Sequence, residues 1–362
     1  MCKATISNKA FCQDQSDAFA DKMVDILNGG ALALTTSLGH RSGLFDTLAE
    51  IGSATSTEIA NAADLNERYV REWLGAMVTG GIVEYDTTYK TYQLPDEHAA
   101  WLTRSSAPDN ISVFAQYIPL LGQVEDEILD CFHRGGGVPY EKYPRFHQVM
   151  AEDSGQTVVA ALTEHILPLV PGLVAQLESG IDVLDVGCGS GRAITLLAKH
   201  FPNSRFTGYD ISEEAIGRAS TEAQRQGLDN ILFEVTDVTH VDEPQAYDLI
   251  TAFDAIHDQK APADVLAAIF RALRQNGLFF MQDIAGSSHV QNNMDHPIGP
   301  FLYTISCMHC MSVSLSQGGE GLGAMWGREK ACEMLTEAGF TRIDVKQLDH
   351  DIQNSYYIVT KG

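Results

Sequence analysis

Ile181-Asp182-Val183-Leu184-Asp185-Val186 reads as a strand, Gly187-Cys188-Gly189-Ser190-Gly191 as a tight turn, and Arg192 to His200 as a helix. Strand, glycine turn and helix form the opening unit of a doubly wound α/β sheet, whose ligands bind outside the carboxyl ends of the strands. The glycines let the backbone come close to a ligand lying over the turn. Their spacing is GxGxG rather than the GxGxxG of dinucleotide folds, and Asp185 stands two residues ahead of the first glycine. A carboxylate there suits a ligand with an ammonium group and would repel a pyrophosphate.

The chain beyond this unit keeps alternating between strand and helix. Ser204 to Asp210 is a second strand ending in an acid, placed either to accept both hydroxyls of a ribose or simply to cap the helix that starts at Ile211-Ser212-Glu213-Glu214. Ile231 to Val235 is a third strand, and Asp237 just after it is placed to bond an exocyclic amine such as that of adenine. Tyr247 to Phe253 is a fourth strand, followed by Asp254-Ala255-Ile256-His257-Asp258. A helix from Ala263 to Arg274 leads to a fifth strand, Gly277 to Asp283. The helix Lys330 to Ala338 and the strands 341–345 and 355–359 complete the sheet.

The first hundred residues differ in character. Ala18 to Leu27 and Ala31 to Leu38 have helical apolar spacing, and Leu44, Phe45, Leu48 and Ile51 form another stripe. A short capped helix spans Ser56 to Ala63, and Asn66 can cap a second from Glu67 to Gly80. Alternation at Ile82 to Tyr85 and Tyr92 to Leu94 around a polar turn predicts a hairpin, which makes the whole a winged helix. A DNA reader of this kind should be basic on its second helix and wing. Here Arg68 and Arg71 are cancelled by Glu67 and Glu72, and the wing offers Lys90 beside Asp86. The region after it reads as helices and loops, with a long helix expected from about Thr157 to Leu167. Its Gly135-Gly136-Gly137 run is a mobile connection, a close approach of backbone to ligand, or an ordinary surface loop. Three regions follow: a winged-helix-like dimerisation or lid domain at 1–105, a helical connecting region at 106–175, and the α/β domain at 176–362.

Bulk composition excludes several classes. With 24 basic and 48 acidic side chains the formal charge is 24 − 48 = −24, which repels phosphate backbones and acidic membranes. No apolar run approaches the ~18 residues of a membrane helix. The N-terminal Met-Cys-Lys-Ala-Thr-Ile-Ser-Asn-Lys lacks the apolar stretch of a secretory leader, and a cytoplasmic location is the expectation. Seven irregularly spaced cysteines read as reduced thiols, and Cys307 and Cys310, the one CxxC pair, as buried or pocket-lining thiols with no metal expected.

The half of the chain from about Gly180 to Gly362 resembles the class I S-adenosylmethionine-dependent methyltransferases. The resemblance rests on LDVGCGSG, the GYD strand end, the TDV turn and the FDAIHD segment, in that order. With the winged helix in front, the whole chain looks like the small-molecule O-methyltransferases. The segments Asp254 to Gln259 and Gly323 to Gly327 look closer still to a bacterial-type group of them. The resemblance implies a Rossmann-like seven-stranded domain after a mostly helical winged-helix domain, a homodimer, and S-adenosylmethionine as methyl donor. It would set the amino-acid end of the donor near Asp185 and Gly187, the ribose on Asp210, and the adenine near Asp237 and Val238. Gly189, Ile211 and Phe253 complete the donor-binding set.

Methyl transfer needs an in-line approach of nucleophile to sulfonium methyl, so positioning is the main task, and an oxygen acceptor also gains from a general base. In the plant phenol O-methyltransferases a His-Asp pair at this place supplies that base, and His257-Asp258 matches it. Gln259 departs from the aromatic residue usual there. His257 could instead cap the next helix or meet adenine-side groups. An N- or S-methyltransferase without a base, and a winged-helix regulator that senses the donor, are the alternatives. The stretch from His289 to Trp326 is expected to form the acceptor pocket, with His289, His296, Tyr303, Met308, His309, Met311 and Trp326. Met308 and Met311 taken singly suit a core helix as well.

Overall fold

The computed structural model describes residues 11–349 and 351–362. The N-terminal stretch read above for a leader lies outside them. The chain divides into two compact units, one of residues up to 106 with 110–118, the other of 107–109 with 119–362. The region from 106 to 175 therefore divides between the two.

The first unit opens with α1 (Gln13–Ser42), followed by α2 (Leu44–Ile51), α3 (Ser56–Ala62) and α4 (Glu67–Thr79). Where apolar spacing suggests two helices, α1 runs on through Gly29 and Gly30. Neither glycine takes the left-handed conformation that ends a helix, whereas Gly43 at φ 78° does, its N–H closing on the carbonyls of Gly39 and His40. Thr55 and Glu58 form a reciprocal capping box on α3, and the Asn66 side chain caps α4. The strands β1 (Glu84–Asp86) and β2 (Thr91–Gln93) pair antiparallel as the wing, and α5 (Asp96–Leu102) follows. Leu44, Phe45, Leu48, Ile59, Trp73, Leu74 and Met77 fill the core of this unit. The amphipathic periods of α2 and α4 account for all of these but Ile59, which α3 supplies.

The short α6 (Tyr117–Leu121) leads to α7 (Glu125–Arg134) and α8 (Phe146–Ser154). The expected helix over 157–167 is not a regular α-helix. Two widened turns at Gly155–Val159 and Leu162–Ile166 replace it, with bonds such as Ala160 N–H to the Gly155 carbonyl. The widening turns Val158, Ala161, Leu162 and Ile166 into one core, so packing overrides the regular period. Then come α9 (Leu173–Ser179), β3 (Asp182–Val186), α10 (Arg192–His200), β4 (Arg205–Asp210), α11 (Glu213–Gln226), β5 (Ile231–Val235), β6 (Tyr247–Phe253), α12 (Pro262–Ala272) and β7 (Leu273–Ile284). The chain finishes with α13 (Gly299–Ile305), α14 (Met311–Ser316), α15 (Gly327–Glu337), β8 (Arg342–Lys346) and β9 (Asn354–Thr360).

The seven strands form one sheet in the order β5-β4-β3-β6-β7-β9-β8, parallel except for β9, which runs antiparallel to both β7 and β8. This is the Rossmann-like sheet of a class I methyltransferase domain. Alternate residues on each strand feed opposite faces. Leu184 and Phe279 enter one core, Val183 and Phe280 the other. The strand order reverses between β3 and β4 on one side and β6 on the other, so the carboxyl ends of β3, β4 and β6 open on the switch point. Among the described residues no helix is long and apolar enough to cross a membrane.

The glycine run ahead of α8 makes a close approach to protein backbone. A Cβ on Gly137 would lie 1.8 Å from the backbone oxygen of Ser312, while Gly135 and Gly136 face open space with positive φ. The Ser312 hydroxyl bonds the N–H of Val138, which anchors the segment there. Gly137→Ala should therefore destabilise the fold by about 1–3 kcal/mol through overpacking. Gly136→Ala should act only through its backbone strain. Urea denaturation of the two variants compares them, and equal midpoints would contradict this packing.

Candidate active site

The glycine turn is built by backbone bonds. The N–H groups of Gly187 and Cys188 both donate to the carbonyl of Tyr209, and Gly187, Gly189 and Gly191 all have φ between 53° and 69°. Gly191 is glycine for packing, since a Cβ there would lie 2.5 Å from the ring of Phe233. Gly189 faces open space and leaves the turn accessible. Asp210, at the end of β4, grips the same turn. Its Oδ2 accepts from Gly189 N–H at 2.9 Å and its Oδ1 from Ser212 N–H at 2.8 Å.

Asp185 is buried, and its Oδ1 accepts from the Thr251 hydroxyl at 2.7 Å. Burial pushes this carboxyl up to about 7, the Thr251 hydrogen bond opposing and the charge of Asp210 adding to the rise. Ile211 is exposed beside Asp210, and Val238 is buried. The Asp237 side chain caps the turn at Val238–His240 through Thr239. Phe253 packs edge-on to Phe280 in the core. Open glycine backbone, a buried acid and a ribose-type acid at one switch point fit a sulfonium donor with an amino-acid tail. These residues would hold its amino-acid end and ribose.

Past β6 the chain turns at Asp254, a non-glycine residue at φ 51° whose carboxyl is raised well above its usual range by burial and by the charge of Asp283. The turn delivers His257, which is 3 % exposed. Its Nδ1 lies 2.8 Å from Oδ1 of Asp283, and its Nε2 lies 3.2 Å from Oδ1 of Asp258. Burial alone would push this imidazole down, but the Asp283 and Asp258 carboxylates hold it well above the usual histidine value. The hydrogen bond that orients the ring thus goes to Asp283 and not to its sequence neighbour Asp258. Trp326 Nε1–H donates to the same Oδ1 at 3.0 Å. Asp283 sits at the end of β7, one strand over, and an acid at that strand end was the only signal for it in the sequence. Gln259 turns back on the chain, donating to the Ala255 carbonyl.

The stretch from His289 to Trp326 does not act as one lining. His309 is fully buried, its ring stacked on Phe146 at 3.5 Å and edge-on to Tyr140 and Tyr143. Burial holds this imidazole down at about 4, so it stays neutral. Cys310 is buried near His257 and Asp258, whereas Cys307 is only partly buried. His296 Nε2 bonds the Ala285 carbonyl and lines a separate cavity of about 570 Å³ with Asn293, Arg328, Glu329 and Asp351. His257 and the donor residues line none of it. His289 is exposed, and Trp326 belongs to the core beneath Asp283.

Comparison with known proteins agrees with this fold. Residues 30–104 match the model of the Rv2258c-like winged HTH domain, and residues 177–342 match that of a methyltransferase domain. The chain is 27 % identical over 107 residues to the probable (S)-tetrahydroprotoberberine N-methyltransferase 2 of Papaver bracteatum, which is 30 % of each chain. It is 31 % identical over 106 residues to the ubiquinone biosynthesis O-methyltransferase of Aeromonas salmonicida, 29 % of this chain and 44 % of that one. The matched stretch thus spans less than half of either relative. The crystal structure of a putative O-methyltransferase from Nostoc punctiforme superposes with a TM-score of 0.72 at 18 % identity, over 94 % of this chain and 98 % of that one, a likeness of fold. The chain thus carries a winged helix-turn-helix domain followed by a methyltransferase domain with the class I, S-adenosylmethionine-dependent fold. Its donor is S-adenosylmethionine.

An ammonium group held by Asp185 requires the ionised carboxylate. Binding of S-adenosylhomocysteine should therefore tighten from pH 6 to pH 8, by at most about tenfold per unit below the carboxyl's own range, and level off above it. Isothermal titration across that range measures the slope. Asp185→Asn should weaken binding and flatten the slope, and a flat wild-type slope would remove Asp185 from the ammonium.

Proposed function

We propose that this protein moves a methyl group from S-adenosylmethionine to a hydroxyl of a small molecule, with His257 as general base. The hydrogen bond from His257 Nδ1–H to Asp283 carries this reading. It keeps Nδ1–H on Asp283, so that Nε2 is the atom that loses and regains a proton, and it stabilises the imidazolium that forms when a hydroxyl gives up its proton. The bound donor supplies an electrophilic methyl on a positive sulfur. The rest of the task is positional: hold the hydroxyl in line, exclude water, and take its proton at Nε2. Asp258, beside Nε2, is placed to hold that proton afterwards. The Aeromonas relative is named for O-methylation and supports an oxygen acceptor. The Papaver relative, named for N-methylation, keeps an unaided amine as the second reading.

A donor-sensing regulator is disfavoured by α4. There Arg68 pairs with Glu72 and Arg71 with Glu67, which leaves no surplus positive charge for DNA. The first unit instead presents Phe19, Val24, Ile26, Leu27, Leu34 and Leu38 to solvent along α1. Such a stripe on one helix suits burial against a second copy of the chain.

His257→Ala should lower turnover by about 10²–10⁴-fold while leaving the affinity for S-adenosylhomocysteine nearly unchanged. Asp283→Asn should lower turnover in the same direction. Turnover near the wild-type rate in His257→Ala would favour the unaided route.

Sedimentation velocity should give a dimer for the wild type, and Leu27→Glu with Leu34→Glu should shift it to monomer. A wild-type monomer at micromolar concentration would exclude the pairing through α1.

A further inference from the structure

One ligand atom from each of His257, Asp258 and Cys310 lies within 4.8 Å of the other two. They come from two parts of the chain, the turn after β6 and the widened helical turn at Ser306–Cys310. Three details give this cluster the form of a metal site. The first is spacing. Nε2 and Oδ1 are 3.2 Å apart, and two ligands each about 2.0 Å from a tetrahedral zinc ion stand about 3.3 Å apart. The second is a dry carboxylate. Oδ1 of Asp258 is shielded from solvent, and the imidazole of His257 and the thiol of Cys310 are the groups that face this carboxylate. The third is the outer support. His257 offers its other nitrogen to Asp283, which Trp326 also holds, and a metal-bound histidine is characteristically oriented by such a carboxylate.

From this we propose a divalent-cation site of the zinc class, with His257 Nε2, Asp258 Oδ1 and Cys310 Sγ as ligands and a fourth position left for water. One imidazole, one carboxylate and one thiolate make a soft-to-borderline set that selects zinc over magnesium or calcium. On binding, the Cys310 thiol and the His257 imidazolium each give one proton to solvent, so the ion is taken up more readily as pH rises. The partners of Cys310 at this site are thus His257 and Asp258, whereas the sequence alone reads Cys307 and Cys310 as thiols without a metal. An ion on Nε2 occupies the lone pair that the proposed base needs, so a filled site blocks proton removal. That consequence rests on the general-base reading, whereas the site itself does not.

Cobalt(II) reports the site directly. Titrated into the full-length protein without donor or acceptor, it should give a thiolate-to-cobalt charge-transfer band and the visible bands of a tetrahedral ion, saturating at one equivalent. Zinc should displace it. Cys310→Ser should abolish the charge-transfer band, and Asp283→Asn, which removes only the outer carboxylate, should weaken zinc binding by about 10–100-fold. Asp258→Asn provides a second ligand variant, with a thermal melt to show that each variant is folded. Absence of the charge-transfer band in the wild type, or its persistence in folded Cys310→Ser, would overturn the site. The measurement needs no methyl transfer, so its failure leaves the assignment of His257 as base untouched.

Discussion

The pair formed by His257 and Asp283 joins parts of the sheet that the chain reaches far apart. Asp283 ends β7, His257 hangs on the turn after β6, and Trp326 reaches the same carboxylate from the entry to α15. All three are buried, and a buried charge is tolerated only when its partners are in place. Removing either member would strand the other in a dry core, so the pair constrains the geometry of the loop as much as its chemistry. The backbone shows the same constraint. Asp254 accepts a left-handed φ, uncommon for a residue with a side chain, and its N–H bonds the carbonyl of Gln282, next to Asp283.

The donor side follows a different logic. Asp210 spends both carboxylate oxygens on backbone N–H groups, one from the glycine turn and one from the start of α11. A carboxylate retains further lone pairs after two such bonds, so it can still accept from a ribose. Its effect on donor affinity and its effect on loop geometry are therefore joined. Asp185 works from below, where burial and the Thr251 hydroxyl set a carboxyl poised near neutrality. One acid shapes the turn, and the other sets how its charge responds to a cation.

Much of this was legible in the sequence because it is local. The glycine turn, Asp185, Asp210 and the alternation of strands and helices all lie within short windows governed by one period or one turn. Capping by Thr55 and Asn66 was legible for the same reason. What was not legible depends on packing between segments distant in the chain. Asp283 becomes the partner of His257 only once β6 and β7 lie side by side, and Cys310 reaches Asp258 only through the widened turn before α14. The helix expected at 157–167 gave way to wide turns because core contacts from Val158 to Ile166 outweigh the regular period. The break expected near Gly29 is missing because glycine ends a helix only when it turns left-handed, and here it does not.

The surroundings of His257 set two demands against each other. A base must release its lone pair to an incoming hydroxyl, which a second carboxylate at Nε2 discourages by holding a proton there. Yet the imidazolium made in the reaction has to be stabilised in a buried site, and Asp258 at Nε2 adds to the stabilisation that Asp283 supplies at the opposite nitrogen. Two carboxylates on one imidazole therefore suit a step in which the proton arrives and leaves while the methyl moves. The same arrangement, with Cys310 added, is a convergent set of ligand atoms around one point. Groups that stabilise a transient positive charge at Nε2 will also attract a permanent one, so sensitivity to a thiophilic cation follows from the electrostatics of the base itself.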